Sequence, residues 1–152
     1  MPCGRIPATT APLRSYTTAD VSQLLCDLGV PRTDVHTLRR AGIDGTEVQG
    51  MSAHVIECHL GASRAATRSV AQVQRAARLF DRVARGSAAP RLSELDLRVW
   101  LTGVGLRAST INRLADRFRT LSYAGNGMVS FAELAVNFPW FDAELKCAGA
   151  YL

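Results

Sequence analysis

The sequence predicts an all-α protein in which one long helix is shared by two small helical modules. Three observations support this fold class. Apolar residues recur every three or four positions over most of the chain, as they do on the buried stripe of an amphipathic helix. Glycine or proline follows most of these periodic segments, where helices commonly end. The longest periodic segment, residues 63–86, runs without a break from the first module into the second.

The long helix predicted over residues 63–86 has an apolar face and a basic face. Its apolar stripe consists of Ala66, Val70, Val73, Ala77, Phe80 and Ala84. Its opposite side carries Arg64, Arg68, Arg75, Arg78, Arg82 and Arg85. Ser63 is placed to cap the first turn, and Gly86 is placed to end the helix.

Basic residues exceed acidic ones, and the formal net charge is +5. Nearly all of the basic residues are arginines, and the excess lies mainly in the first half of the chain and on the long helix. Arginine suits bidentate contacts with carboxylates or phosphates. The arginine side of the long helix is therefore a candidate binding face, and an ordinary solvated helix face is the alternative interpretation.

The sequence also indicates where the protein acts. No run of 18 or more apolar residues occurs, so no membrane span is expected. Residues 1–14 are predicted to form a flexible arm without the apolar core of a signal peptide. The cysteines lack metal-type or disulfide-type spacing, which favours reduced thiols in an intracellular, cytoplasmic protein. They are Cys3, Cys26, Cys58 and Cys147.

The first module is predicted to contain four short helices before the long one. Thr18, Pro31, Thr46 and Ser52 mark their starts. Their apolar positions are Val21, Leu24, Leu25 and Leu28, then Val35 and Leu38, then Val55, Ile56 and Leu60. Turns follow at Gly29, at Gly42 to Gly45 and at Gly61, where glycine permits a positive φ.

The order of these residues resembles the sterile alpha motif (SAM) domain over about residues 15–80. The matching run is Asp20-Val21-x-x-Leu24-Leu25-x-x-Leu28-Gly29-Val30, then Leu38 to Gly45, Met51-Ser52 and His59-Leu60-Gly61-Ala62. The resemblance implies a five-helix bundle that binds proteins, sometimes by self-association and occasionally RNA. SAM self-association joins a basic patch, matched here by Arg64 and Arg68, to an acidic face. That face would have only Asp44, Glu47 and Glu57, so a different acidic partner fits at least as well.

The second module repeats the pattern of helix, loop, short strand and helix. Ser93 is predicted to cap a helix whose apolar face begins with Leu95, Val99 and Trp100. A helix follows Ser109, and another runs from Phe131 to Phe138, where Pro139 interrupts it. Short strands are expected at Leu92 and Val129.

This pattern resembles a pair of EF-hands over about residues 72–138. Asn126-Gly127-x-Val129-Ser130-Phe131-x-Glu133 matches the second half of such a loop. The resemblance implies that the two strands pair and hold the helices together. Calcium requires several oxygen ligands, whereas the first loop offers Arg85 and Pro90 and the second keeps only Ser122, Asn126 and Glu133. We therefore expect vestigial loops, no bound metal and no cofactor.

The tail, residues 139–152, is aromatic. Pro139 can start a last short helix, and Trp140, Phe141 and Leu145 form a set of the kind that fills an apolar groove. Two interpretations remain: the tail binds a partner through Trp140 and Phe141, or it folds into the groove of its own EF-hand-like module.

Other chemistry has little support in the sequence. His54 and Cys58 lie four residues apart beside His59, but a zinc site needs three or four converging ligands. No phosphate-binding glycine loop and no supported catalytic pair occur, so an enzyme is not expected.

The sequence therefore predicts a non-catalytic adaptor or scaffold that contacts an acidic protein surface, such as tubulin or another scaffold protein. By analogy, such modules suit cytoskeletal assemblies, including those of a cilium or flagellum. The alternatives are a calcium-regulated signalling adaptor and an RNA-binding SAM module. For the RNA-binding alternative, the arginine face lacks the aromatic residues that stack on single-stranded bases.

Overall fold

The computed structural model describes residues 12–84, 91–123, 125 and 127–150. Its helices are α1 (Thr18–Asp27), α2 (Arg32–Arg40), α3 (Gly45–Gly50), α4 (Arg64–Ala84), α5 (Glu94–Val104), α6 (Ala108–Arg119), α7 (Phe131–Val136) and α8 (Phe138–Cys147). A 3-10 turn at Leu13–Ser15 precedes α1, and a π-helical turn at Val55–His59 precedes α4. The strands, β1 (Arg91–Leu92) and β2 (Val129–Ser130), have two residues each, so the all-α class is confirmed.

Short polar side chains fix where the helices begin. Capping boxes, in which the cap hydroxyl and the carboxylate three residues later each accept a backbone N–H, start α1, α5 and α7. Ser63 Oγ accepts the Ala66 N–H at 3.4 Å, as predicted for the start of α4. The Ser63 hydroxyl also donates to Asp34 Oδ2 at 2.5 Å, which ties the start of α4 to α2.

Helix α4 is the element on which the others pack. It has 21 residues and is therefore about 30 Å long. It contacts α1, α3, α5, α7 and α8. Every residue of the predicted apolar stripe is buried, which confirms the predicted inner face. Arg85 and Gly86, which the sequence placed at its end, lie outside the described residues.

The two predicted modules share one continuous apolar core. Phe131 of α7 contacts Tyr16 from the first module, with ring centroids 5.8 Å apart. Phe131 also contacts Phe80 of α4 at 5.9 Å. Gln72 Nε2 donates to the Ala135 carbonyl at 2.7 Å, which adds a polar link between α4 and α7. The halves are thus joined by direct packing as well as by the shared helix.

The packed chain begins before residue 15. Leu13 and Tyr16 are each only 2% exposed and belong to the core. The arm predicted over residues 1–14 therefore does not include Leu13, while residues 1–11 lie outside the described residues. Leu13 precedes the first α-helix and belongs to no periodic pattern of apolar residues, so the sequence did not predict its burial.

The predicted pairing of the two short strands is confirmed. β1 and β2 are antiparallel, with Arg91 opposite Ser130 and Leu92 opposite Val129. Leu92 and Val129 are both buried, so the strand pair also contributes to the core.

Two predicted apolar faces are wrong in part, although Trp100 and Leu60 pack against the core as predicted. Leu95 is 69% exposed and Val99 is 37% exposed, because α5 instead buries Leu97 and Leu101. Helix α5 is apolar on two sides, so periodicity alone did not identify the side that packs.

Val55 is also exposed, although Ile56 beside it is buried. The Leu60 N–H donates to the Val55 carbonyl five residues back, at 3.0 Å. This π-helical turn changes the helical phase on which the prediction for Val55 depended.

Candidate protein-binding face

The predicted arginines of α4 lie on its solvent side, which we call the arginine face. It consists of Arg64, Arg68, Arg75, Arg78 and Arg82, all of them exposed. They are spaced by four, seven, three and four residues along α4, which keeps them on one side of the helix. The gap of seven residues divides the face into two groups with different surroundings.

The first group, Arg64 and Arg68, borders an open depression of about 540 Å³ with Glu57 and Thr67. Arg64 Nε lies 3.7 Å from Glu57 Oε1, and the Arg64 side chain is 88% exposed. A pair this long and this exposed contributes little to stability. This group is a solvated basic surface.

The second group borders a cleft between α4 and α8, which we call the α4–α8 cleft. Its volume is about 200 Å³. Its lining consists of Arg75, Arg78, Leu79, Arg82, Phe138, Asp142 and Lys146. Leu79 and Phe138 are almost fully buried and form an apolar floor. Four cations and one carboxylate surround that floor, so the cleft has a net positive charge.

Asp142 holds one end of this cleft together. Its Oδ2 accepts from Arg75 NH2 at 2.8 Å and lies 3.1 Å from Lys146 Nζ. The Asp142 side chain is only 7% exposed, whereas that of Arg75 is 47% exposed. The Arg75 guanidinium also lies over the Phe138 ring, 5.5 Å from its centroid. Arg75 is thus engaged within the protein and differs from Arg68, Arg78 and Arg82, for which the described residues provide no salt bridge.

Sequence reasoning missed Asp142 and Lys146. They are four residues apart, the spacing of a helical ion pair, and this spacing was the available signal. Their meeting with Arg75 depends on how α8 packs on α4, which the sequence does not show.

The structure separates the two aromatic residues predicted to bind a partner. Phe141 is 1% exposed and packs on Phe118 of α6, with ring centroids 6.0 Å apart. Leu145 is also fully buried. Phe141 is therefore not accessible to a partner, and the interpretation in which the tail folds onto its own module is the one observed. Pro139 lies in the first turn of α8, as predicted.

Trp140 remains at the surface. It follows Pro139 and is rotated about 100° around α8 from Phe141, so it is 40% exposed while its neighbour is buried. The Arg117 guanidinium lies 5.9 Å from the Trp140 ring centroid.

Glu133, which the sequence analysis interpreted as a vestigial calcium position, ties the loop to α7. Its Oε2 accepts the Tyr123 N–H at 2.6 Å, and its Oε1 accepts the Ser130 N–H at 2.9 Å. Ser122 is buried beside this loop, whereas Asn126 lies outside the described residues. The Glu133 carboxylate thus accepts hydrogen bonds from two backbone N–H groups.

The two histidines and the cysteine near the π-helical turn were considered as candidate metal ligands. His54 and His59 have ring centroids 5.2 Å apart, and Cys58 is exposed. Within the described ranges, no group of three or more His, Cys, Asp or Glu side chains is arranged to hold a metal ion. None of the helices in those ranges is both long and apolar enough to cross a membrane.

An ion-pair network joins α5 to α6 away from the arginine face. Glu94 Oε1 accepts from Arg119 NH2 at 2.7 Å and from Arg98 NH2 at 3.2 Å. The hydrogen bond from Arg119, with further contributions from Arg98, lowers the pKa of Glu94. In the core, burial raises the pKa of the Tyr16 hydroxyl far above its ordinary value.

Comparison with protein-family models, with curated proteins and with solved structures found no match to this chain. The arginine face and the α4–α8 cleft therefore supply the basis for a functional proposal.

Proposed function

We propose that this chain is a non-catalytic protein-interaction module whose arginine face binds an acidic surface on a protein partner. The proposal rests on the exposure and the unneutralised charge of Arg68, Arg78 and Arg82. All three are exposed on one side of α4, and within the described residues none of them forms a salt bridge. An array of unneutralised guanidinium groups attracts carboxylates and can bind them in a bidentate manner.

The resemblance to a SAM domain followed by an EF-hand pair is part of this proposal. It is supported by the order of the helical segments before α4 and by the antiparallel pairing of β1 with β2. Such modules act through surface contacts rather than through chemistry. By analogy, the proposed setting is a cytoplasmic scaffold of the cytoskeleton, including a cilium or flagellum, with tubulin as one acidic partner.

Self-association through SAM-type surfaces has weaker support than a different partner. The acidic side would need Asp44, Glu47 and Glu57. Asp44 accepts the Glu47 N–H at 2.9 Å as the cap of α3, and Glu57 lies beside Arg64 of the same chain. These local contacts reduce the acidic surface that a second copy could use.

The two alternative functions are also less well supported. An RNA-binding module would stack bases on exposed aromatic rings, whereas the arginine face consists of arginines alone. A calcium-regulated adaptor would need the Glu133 carboxylate for the ion, and its oxygens already accept two backbone N–H groups.

Capture from native cells tests the proposal. Immobilised protein is incubated with nuclease-treated extract of the cells that make it, and the bound proteins are identified by mass spectrometry. The test variant is Arg68→Glu with Arg78→Glu. The control is Arg32→Glu with Arg113→Glu, which makes the same change of net charge at exposed sites away from α4. Arg75 is left intact because its reversal would break the contact with Asp142.

We expect the wild type and the control to capture the same acidic proteins and the test variant to lose them. Added RNA should not displace these proteins. Unchanged capture by the test variant would show that the arginine face is only a solvated surface. Displacement by any added RNA, together with a steep salt dependence, would favour the nucleic-acid alternative.

A further inference from the structure

We propose, on the basis of the proposed function, that the α4–α8 cleft is the specific part of the arginine face. Its ligand class is a linear acidic peptide segment of the partner that carries an apolar side chain between its carboxylates. The apolar side chain rests on Leu79 and Phe138, and the carboxylates bind Arg78 and Arg82.

The size of the cleft favours a side chain over a small-molecule ligand. Its volume of about 200 Å³ is below the roughly 300–1,000 Å³ that is usual for small-molecule sites. The cleft is open to solvent on one side, so an extended peptide can cross it while placing one side chain inside. A single leucine or phenylalanine side chain is the matching occupant.

The charges of the cleft select an acidic peptide. Asp142 is held by Arg75 and Lys146, so the carboxylate of the lining is already engaged and these three groups together keep a charge of +1. Arg78 and Arg82 have no carboxylate partner within the described residues and lie one helical turn apart, with roughly 6 Å of rise between them. Two carboxylates that flank an apolar residue on an extended peptide can reach this pair.

The other half of the arginine face lacks the second element of this site. The depression beside Arg64 and Arg68 is lined by those arginines with Glu57 and Thr67, and no large apolar side chain takes part. It can attract negative charge but has no surface on which to bury an apolar group. We therefore expect the cleft to select particular peptide sequences of the partner, and the rest of the arginine face to attract its negative charge without regard to sequence.

Fluorescence anisotropy with defined peptides tests this inference. The probe is a fluorescein-labelled peptide of three Glu-Glu-Leu repeats, and its matched control has serine in place of every leucine. Both are titrated with the wild-type protein, with Arg78→Gln plus Arg82→Gln and with Arg64→Gln plus Arg68→Gln. The two variants lose equal charge from the same helix, and their melting temperatures verify that both remain folded.

We expect the serine peptide to bind the wild type at least about tenfold more weakly, because burial of one leucine side chain contributes that much or more. The leucine peptide should lose at least about tenfold in affinity with the Arg78 and Arg82 variant and less than about threefold with the Arg64 and Arg68 variant.

Three outcomes would overturn the inference: equal losses in the two variants, equal binding of the two peptides, or no binding of the leucine peptide to the wild type. Equal losses would still leave the arginine face as a general acidic-protein site. Failure of the face itself is recognised separately, by capture that does not respond to reversal of Arg68 and Arg78.

Discussion

Gly45 is a position at which a single methyl group would disturb the fold. A Cβ atom there would lie 1.7 Å from the Leu13 carbonyl oxygen and 2.9 Å from Tyr16 Cβ. The Gly45 N–H donates to the Tyr16 carbonyl at 3.0 Å, so the N-terminal segment rests directly on the start of α3. The close approach of two backbones explains why glycine is needed at this position.

Gly45→Ala is therefore expected to lower the free energy of unfolding by roughly 2–3 kcal/mol, because backbone must move to relieve the overlap. Gly50→Ala is the matched control in the same helix, where a Cβ would meet nothing within 4 Å. It should be neutral or slightly stabilising, since alanine favours a helix. Urea denaturation measures both, and equal midpoints for the two variants would contradict the packing of Leu13 and Tyr16 on α3.

Glu94 is expected to make stability depend on pH. Arg119 and Arg98 lower the pKa of Glu94 in the folded protein. The Glu94 carboxylate therefore makes its full contribution to the free energy of unfolding at pH values above the pKa that Glu94 has in the unfolded chain. That contribution is lost as the pH falls below the ordinary value of 4.5 and through the lower folded value. Glu94→Gln should lower the melting temperature at neutral pH, and the difference from wild type should shrink in this acidic range. A difference independent of pH would contradict the ion-pair network.

At the scale of elements, α4 is the helix on which helices of both halves of the fold pack. Val73 is 1% exposed near its centre. Val73→Pro removes a backbone donor and clashes with the preceding turn, which costs about 3 kcal/mol or more. Because both halves pack on α4, both should lose protection against limited proteolysis. Ala65→Pro, in the first turn where proline is tolerated, is the control. A stable fragment that contains α1 to α3 of the Val73 variant would contradict the shared-helix account.

The loop between α6 and α7 is expected to be insensitive to calcium. The oxygens of Glu133 accept the Tyr123 and Ser130 N–H groups, so the loop is closed without an ion. Melting temperatures in calcium and in chelator should agree, because only a ligand that binds the folded state raises stability. Glu133→Ala should lower the melting temperature equally in both solutions. A rise with calcium that a chelator reverses would favour the signalling alternative.

Periodicity predicted the elements well where only one face is apolar. Every residue of the predicted stripe of α4 is buried, although Ala76, Leu79 and Val83 are buried as well. The pairing of the two short strands was expected from the resemblance, without a register. Prediction failed at α5, where Leu95 and Leu97 lie on different apolar sides of the same helix. It also failed for Val55, because one π-helical turn shifts the helical phase. At α5 the outcome depends on which side of the helix packs on the core.

The candidate site was only partly visible in the sequence for the same reason. The arginine face follows from spacing along one helix. The cleft requires α8 to lie beside α4, which brings Asp142 and Lys146 to Arg75 across 67 and 71 residues of sequence. The aromatic tail predicted an apolar contact, but the sequence did not distinguish the partner-binding interpretation of Phe141 from burial against Phe118.

At the scale of the whole molecule, the described residues form one packed body, and two of its exposed surfaces are candidates for binding. Its core runs continuously from Leu13 to Ala150 and includes the contact of Tyr16 with Phe131. One surface is the arginine face of α4. The other is formed by two exposed apolar residues of α5, Leu95 and Val99, which are one helical turn apart. The positive charge of the arginine face makes it the better binding surface for an acidic partner.

The most direct test is to map the partner on the protein by NMR. The partner from the charge-sensitive capture is titrated into the ¹⁵N-labelled 16.4 kDa chain, and changes in the amide signals are followed. The account predicts that the changes concentrate around Arg68, Arg78 and Arg82 and weaken as salt screens the charges. Changes concentrated around Leu95 and Val99, with α4 unaffected, would contradict it.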